Sequence, residues 1–270
     1  MPELPEVETT RRGLELFLVG QTVRTVVVRE SRLRWPIPSA LLRELPGQAI
    51  QSVTRRGKYL LLQAAAGSVI LHLGMSGSLR IVAETIAPEK FDHVDIVFNS
   101  GDCLRLRDPR RFGALLWTAD PAQHKLLVHL GPEPLGDNFN GDYLYRKSRA
   151  RTRAIKDFLM DSRIIAGIGN IYANESLFLA GIDPRRAAGK ISRARYENLS
   201  QAVRTILEQA IQAGGTTLRD FRGSDGRPGY FQQTLAVYGR RDLPCRNCGR
   251  PIRSQTLGSR STFFCRYCQS

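Results

Sequence analysis

The sequence contains no apolar run approaching twenty residues, no signal peptide and no lipidation motif, so it offers neither a membrane-spanning helix nor a lipid anchor. Acidic residues are scarce: 25 Asp plus Glu stand against 40 Lys plus Arg, a formal net charge of +15. Such an excess fits a polyanionic partner, nucleic acid first, with a membrane surface or a structural RNA role as the competing explanations. Cysteine is also sparse. Of five, four form two short-spaced pairs near the C-terminus, which is no secreted disulfide framework and points to a cytosolic protein. No internal repeat stands out. His93 and His124 lack ligand-like partners at short spacing and read as structural, and Cys103 reads as a buried thiol in an alternating strand.

What is present divides the chain. Its 270 residues suffice for two compact units. Leu4, Val7, Leu14, Phe17 and Leu18 recur at helical spacing and Gly20 supplies a stop, predicting an amphipathic helix over 4–19. From Val23 to about Trp117 the pattern changes to short β-rich runs: 23–28, 50–54, 59–63, 69–73, 79–82, 94–98, 103–107 and 114–117. Their spacing predicts an antiparallel sandwich or barrel, interrupted by a short helix near 39–45. Two glycines and two prolines in residues 131–136 mark a domain boundary. Helical periodicity follows over 143–149, 154–160, 170–180 and 193–213. Residues 214–229 are glycine-rich and polar, a length and composition that suit a functional loop.

Several stretches carry chemistry. The chain opens Met1-Pro2-Glu3-Leu4-Pro5-Glu6. If Met1 is removed, Pro2 becomes a secondary amine that can attack an electrophilic sugar carbon and form an iminium. Glu3 and Glu6 place carboxyls beside it for proton transfer. The alternative is that Pro-Glu merely starts a helix, since proline suits the first turn and carboxylates suit the positive end of the dipole. Lys58, in Arg56-Gly57-Lys58-Tyr59, is either a strand-edge charge or a phosphate contact or proton shuttle near that amine. Met75 lies on a Gly-flanked turn after His72, and Arg110 and Phe112 lie on a second loop. An apolar wedge beside arginines suits insertion into a DNA stack. The Gly167-Ile168-Gly169-Asn170 turn opens a helix whose free N–H groups could hold phosphate, in a basic neighbourhood that includes Arg151 and Lys156.

The last motif is the most specific. Cys245-x2-Cys248 and Cys265-x2-Cys268, sixteen residues apart, supply four thiolates for one tetrahedral structural zinc with no open position. A redox dithiol is the alternative. Seven arginines and one acidic residue follow Gly239, so this finger is expected to lie on phosphate, with Arg260 on its return limb.

Taken together, the Pro2–Thr9 start, Arg56–Tyr59, His72–Gly77, Asp108–Gly113, Gly169–Ala173 and the four-cysteine finger resemble the formamidopyrimidine-DNA glycosylases, bacterial enzymes that remove oxidised purines. The resemblance runs the full length. It implies an α+β chain: an N-terminal antiparallel β-sandwich with a leading helix (1–132), a helix–two-turn–helix domain (133–237) and a zinc-finger β-hairpin (238–270), with DNA in the cleft between. It implies that Pro2 is the Schiff-base nucleophile on the deoxyribose C1′, and that Glu3 donates the proton that opens the sugar. Lys58 would serve β-elimination and Arg260 δ-elimination. Met75, Arg110 and Phe112 would fill the void left by the flipped nucleotide. His72, Lys58, Asn170 and Arg260 would hold the kinked backbone, with Arg151 and Lys156 as further contacts. Residues 214–232 would close over the damaged base.

The implied partner is damaged double-stranded DNA, with one structural Zn2+ and no organic cofactor, for a monomer in the bacterial cytoplasm associated with the nucleoid. A lesion must leave the stack before its glycosidic bond can be reached, and that needs backbone charge, a wedge and a pocket. Phosphate contacts would supply mainly non-specific, salt-dependent affinity. Two departures stand out: Phe91, near where relatives can carry a DNA-contacting histidine, and Arg219, where relatives can carry lysine and whose geometry differs from it. Endonuclease VIII, which prefers oxidised pyrimidines, and a non-catalytic zinc-dependent DNA-binding protein are the rival readings.

Overall fold

The computed structural model describes residues 2–215 and 234–270. Most of the expected capping loop, with Arg219, lies outside the described residues. The chain divides into two compact units, one built on Met1–Val128 and the other on His129–Gln212 with the C-terminal chain to Ser270.

In the first unit, helix α1 (Leu4–Leu18) is followed by β1 (Val23–Val28), α2 (Ser39–Glu44), β2 (Ser52–Arg56), β3 (Tyr59–Ala64), β4 (Gly67–His72), β5 (Ser78–Ala83), β6 (Asp92–Phe98), β7 (Asp102–Arg107) and β8 (Ala114–Thr118). The strands make two four-stranded sheets, ordered β1-β6-β7-β5 and β2-β3-β4-β8, with every pairing antiparallel. Alternate residues of both sheets point into one apolar cluster. Leu60, Leu62 and Leu71 meet Leu79, Ile96 and Leu104 there, and Leu14 and Leu18 of α1 join them. Side chains alternate across a strand, so one residue of slip would turn this face to solvent. The architecture is therefore a β-sandwich with a leading helix rather than a closed barrel.

Strand β6 begins two residues earlier than the apolar pattern predicts, because its polar residues are paired in the interior. Arg105, 1% exposed, donates from Nε and Nη2 to the two oxygens of Asp95, 2.9 Å each, and from Nη1 to the Ile86 carbonyl at 2.9 Å. Arg29 reaches the same carboxylate at 2.6 Å, and Arg80 Nη2 is shared between the two oxygens of Asp92 at 3.0 Å each. Buried charges persist when paired and hydrogen-bonded, so charged residues occupy positions that hydropathy alone would assign to loop. Cys103 is fully buried beside this network.

The second unit contains α3 (Gly141–Ser148), α4 (Ile155–Leu159), α5 (Asn170–Leu179) and α6 (Arg193–Gln212), then the hairpin β9 (Arg253–Leu257) and β10 (Arg260–Phe264). Asn140 caps α3 by accepting from the Tyr143 N–H at 2.8 Å. Helix α5 is buried on nearly every side, and Asn174, Glu175 and Ser176 are interior along with its apolar residues. Its polar groups hold the rest of the unit. The Asn174 amide oxygen accepts from Phe263 N–H at 2.8 Å. The Glu175 carboxylate accepts from the N–H groups of Ala236, Val237 and Tyr238 at 2.8–3.0 Å. Burial pushes that carboxyl up, against the pull of the three N–H donors. Gln269 closes the other end, donating to the Ile182 carbonyl and accepting from Cys265 N–H, both at 2.8 Å. These bonds explain why the helices and the cysteine hairpin form one unit. Among the described residues no helix is long and apolar enough to cross a membrane.

Candidate active site and nucleic-acid interface

Pro2 and Glu3 stand at the buried start of α1. The helix begins here because Glu3 is extended, Pro5 fits the first turn, and the Glu6 carboxylate reaches back to accept from the Glu3 N–H at 2.8 Å. Both glutamates are 2% exposed. Gly215 lies against Glu6, where an added Cβ would stand 3.3 Å from the carboxylate.

Lys58 occupies the second position of the two-residue turn joining β2 and β3, after Gly57 at φ +58°, a conformation that glycine adopts without a Cβ clash. On the other side of β3, Tyr59 pairs with His72 of β4, and their rings are 4.9 Å apart. His72 Nδ1 accepts from the Gly74 N–H at 3.0 Å, which leaves the ring proton on Nε2. Burial, with the positive charges of Lys58 and Arg34, pushes this imidazole down to about 4. His72 is therefore a neutral donor at neutral pH, aligned by its own strand end.

The expected wedge residues come together. Arg110 Nη2 lies 3.2 Å from the Met75 sulfur, and the Arg110 guanidinium sits 5.3 Å from the centre of the Phe112 ring. Phe112 is 47% exposed, an unusual placement for a phenylalanine that sits on a rigid base. That base is Asp108, fully buried, which the sequence motif contained without disclosing its role. Its carboxylate accepts from Gly113 N–H at 2.7 Å, Ser76 Oγ at 3.1 Å and Arg110 N–H at 3.3 Å, and its carbonyl lies 2.8 Å from His93 Nε2. The loop carrying Met75 and the loop carrying Arg110 and Phe112 are thus fastened to one side chain. Gly74, at φ +62°, lets them touch, since a Cβ there would be 2.4 Å from the Phe112 carbonyl carbon. Asp108→Ala is expected to cost about 3 kcal/mol by orphaning buried donors. Urea denaturation checks this, and a loss below about 1 kcal/mol would show that the loops do not depend on the carboxylate.

In the second unit, Arg260 opens β10 and is exposed, and Gly258-Ser259 form the hairpin tip before it. An open cavity of about 340 Å³ adjoins it, lined by Arg153, Asp157, Met160 and Asp161 as well as the tip. Asn170, first residue of α5, donates from Nδ2 to the Ser261 carbonyl at 2.9 Å, next to Arg260. Arg151 is exposed on the connection before α4. Lys156, a further candidate contact, is fully buried, and its ammonium donates to the Ser261 carbonyl at 3.0 Å and Thr262 Oγ1 at 2.7 Å. A lysine beside an aspartate in a short basic segment reads as surface charge, and only the fold reveals that the hairpin covers it.

The four finger cysteines converge, with all sulfurs within 4.8 Å of one another. Cys245 and Cys268 are 3.9 Å apart and Cys248 and Cys265 3.5 Å. Four thiolates at about 2.3 Å from one zinc would be roughly 3.8 Å apart, so the donor set fits a closed tetrahedral site for one structural zinc.

Comparison with known proteins agrees with this construction. Residues 1–115 match the model of the formamidopyrimidine-DNA glycosylase N-terminal domain, 130–222 that of the formamidopyrimidine-DNA glycosylase H2TH domain, and 242–270 that of a zinc finger found in FPG and IleRS. The chain is 59% identical over 269 residues to the formamidopyrimidine-DNA glycosylase of Stutzerimonas stutzeri, covering 100% of both. The MutM (Fpg) crystal structure from Thermus thermophilus superposes with a TM-score of 0.89 at 40% identity, covering 99% of this chain and 98% of that one. Lactococcus lactis Fpg in complex with abasic-site DNA gives 0.91 at 33% identity, covering 99% of each. With matching domains in order and full-length identity well above half, the chain belongs to the formamidopyrimidine-DNA glycosylase family of base-excision-repair enzymes.

Proposed function

We propose that this glycosylase acts on damaged double-stranded DNA as a bifunctional enzyme, excising oxidised purines such as 8-oxoguanine and formamidopyrimidines and then cutting the strand at the abasic site. The observation that carries this reading is the buried placement of Pro2 and Glu3 at the start of α1, in the same compact unit as Lys58, His72 and the Met75–Arg110–Phe112 cluster. Supporting it, the Lactococcus lactis Fpg has been solved with abasic-site DNA, and a mutant of it with DNA containing Fapy-dG.

In this mechanism the wedge takes the place of the extruded nucleotide, as base-processing enzymes require. Once Met1 has gone, the Pro2 nitrogen attacks C1′ and Glu3 delivers a proton to the sugar oxygen as the ring opens, while the glycosidic bond breaks and the base leaves. The product is an iminium that keeps its charge, because proline nitrogen has no proton left to lose. That charge acidifies the C2′ hydrogen, whose removal expels the 3′ phosphate with Lys58 serving the proton transfer. A second elimination, served by Arg260, releases the 5′ phosphate. His72, as a neutral Nε2–H donor, and Asn170, Arg110, Arg151 and Arg260 contact the DNA. Lys156 acts indirectly, by holding the strand that carries Arg260. The enzyme works as a monomer.

Borohydride reduction during turnover tests the reading. On an 8-oxoguanine duplex the protein should become covalently attached through Pro2, as peptide mass mapping would show. Cleavage without any adduct, or an adduct on a lysine instead, would remove Pro2 from its role. A clear preference for oxidised pyrimidines in a lesion panel would replace the substrate class.

A further inference from the structure

Behind the Lys58 turn lies a clasp that the chemistry above does not use. Glu8, in the second turn of α1, accepts from Arg12 Nε at 2.9 Å and from Arg11 at 3.2 Å. Its other oxygen accepts from Arg55 Nε at 3.1 Å. Arg55 lies in β2, and its Nη1 donates at 3.0 Å to the carbonyl of Gly57, the residue immediately before Lys58. The two partners are little exposed, 11% and 13% for the Arg55 and Glu8 side chains. Arg11 adds a second fastening from the same helix, donating to the Val53 carbonyl of β2 at 3.1 Å.

We propose that Arg55 is a positioning residue that sets where the Lys58 ammonium stands relative to the Pro2 amine. This inference rests on the roles proposed above for Pro2 and Lys58. A guanidinium is planar, so Nε and Nη1 are held in a fixed relation. With one edge on a helix carboxylate and the next on a turn carbonyl, it is a rigid strut from α1, which follows directly on Pro2 and Glu3, to the turn that presents the lysine. The turn needs such a strut, because Gly57 has a wide choice of backbone conformations and a two-residue loop transmits any change directly to Lys58. Glu8 remains ionised to serve it. Burial pushes its carboxyl up, but hydrogen bonds from Arg11, Arg12 and Arg55 hold it below its ordinary value. Charge-assisted bonds of this kind, sheltered from water, are the stronger class. Lysine at position 55 could meet the carboxylate or the carbonyl but has no second edge to reach both.

The test measures two reactions under single-turnover conditions, base release from an 8-oxoguanine duplex and strand scission of a duplex with a preformed abasic site. For Arg55→Met, scission is expected to slow by about tenfold or more while base release changes by about threefold or less, a split that a general loss of folding would not produce. Arg55→Lys should resemble Arg55→Met, and Glu8→Gln, which preserves shape, should move scission in the same direction. In a Lys58→Ala background, Arg55→Met should slow scission no further, because the strut acts only through that lysine. Multiplying effects in the double variant, or equal slowing of both reactions in step with lost thermal stability, would overturn the proposal. Lys58 reactivity toward reductive methylation, read by mass spectrometry on the full chain, provides a readout independent of catalysis. It should change in Arg55→Met relative to the other lysines, and an unchanged rate also counts against the strut. If the natural protein gives no Pro2 adduct, the proposed mechanism fails separately, and the methylation result still judges the clasp.

Discussion

Pro2→Gly is expected to reduce base release from an 8-oxoguanine duplex by at least about a hundredfold, equivalent to roughly 2.7 kcal/mol of barrier, while duplex affinity changes little. Glycine is chosen because it is small enough for Met1 still to be removed, so the variant retains a free amine at the same place. What it loses is the secondary nitrogen. A primary amine gives an imine that can shed its N–H proton and become neutral, whereas the proline iminium has no N–H proton to lose and keeps its charge until the C2′ proton is removed. It also loses the ring, which fixes the nitrogen's direction ahead of the extended Glu3. Glu3→Gln should cost about 10²–10⁴-fold, the usual range for a positioned proton donor. Because Glu3 is buried and the neighbouring Glu6 side chain holds its N–H, the amide should occupy the same place without displacing α1. The pair is measured by quenched-flow base release alongside a binding titration. Rates within about threefold of the natural protein for Pro2→Gly would show that the secondary nitrogen is not required.

Removing the zinc should have an effect of comparable size by a different route. Structural zinc in finger peptides contributes about 10–16 kcal/mol of apparent folding free energy, and the hairpin has little else to replace it. Its own apolar cluster is small: Val237, Ile252 and the buried cysteines against Phe178 of α5. Once the hairpin opens, the damage should extend into the helices. Lys156 would lose its hairpin acceptors Ser261 and Thr262 while fully buried, and Asn174 would lose Phe263. A buried ammonium deprived of partners is strongly unfavourable. A chelator strong enough to extract one zinc per chain should therefore lower the melting temperature of the second unit, abolish strand cutting and leave the far-ultraviolet signal of the sandwich in place. Zinc loss shown by metal analysis with an unchanged melting curve would mean that the helices hold the hairpin without the metal.

Legibility in the sequence depended on how far apart the interacting groups are. The zinc ligands were readable because each pair is set by a two-residue spacing. The two loops that meet at Arg110 were readable as loops because glycines bracket Met75 and follow Phe112. The strands were readable wherever alternation was apolar. Boundaries failed at β2, which ends on two arginines, and at β6, which begins on an aspartate, since their partners Glu8 and Arg80 are remote in sequence. Lys156 shows the same limit: its acceptors are more than a hundred residues away. Asp108 was visible as a letter in a motif but not as the fastening of two loops, because one of them lies 32 residues earlier.

That fastening has a consequence for how the enzyme would search. A chromosome offers an enormous excess of intact base pairs, so nearly every encounter ends in rejection. If the probing side chains had to be assembled at each step, the protein's own rearrangement would set the time per base pair. Here Met75, Arg110 and Phe112 are mounted on loops joined through one buried carboxylate. In the proposed wedge role they would arrive already assembled, and the delay at each position would fall to the DNA, to how readily that particular pair comes apart. Pairs weakened by damage would yield soonest, and part of the enzyme's discrimination would be exercised before any base reaches the pocket.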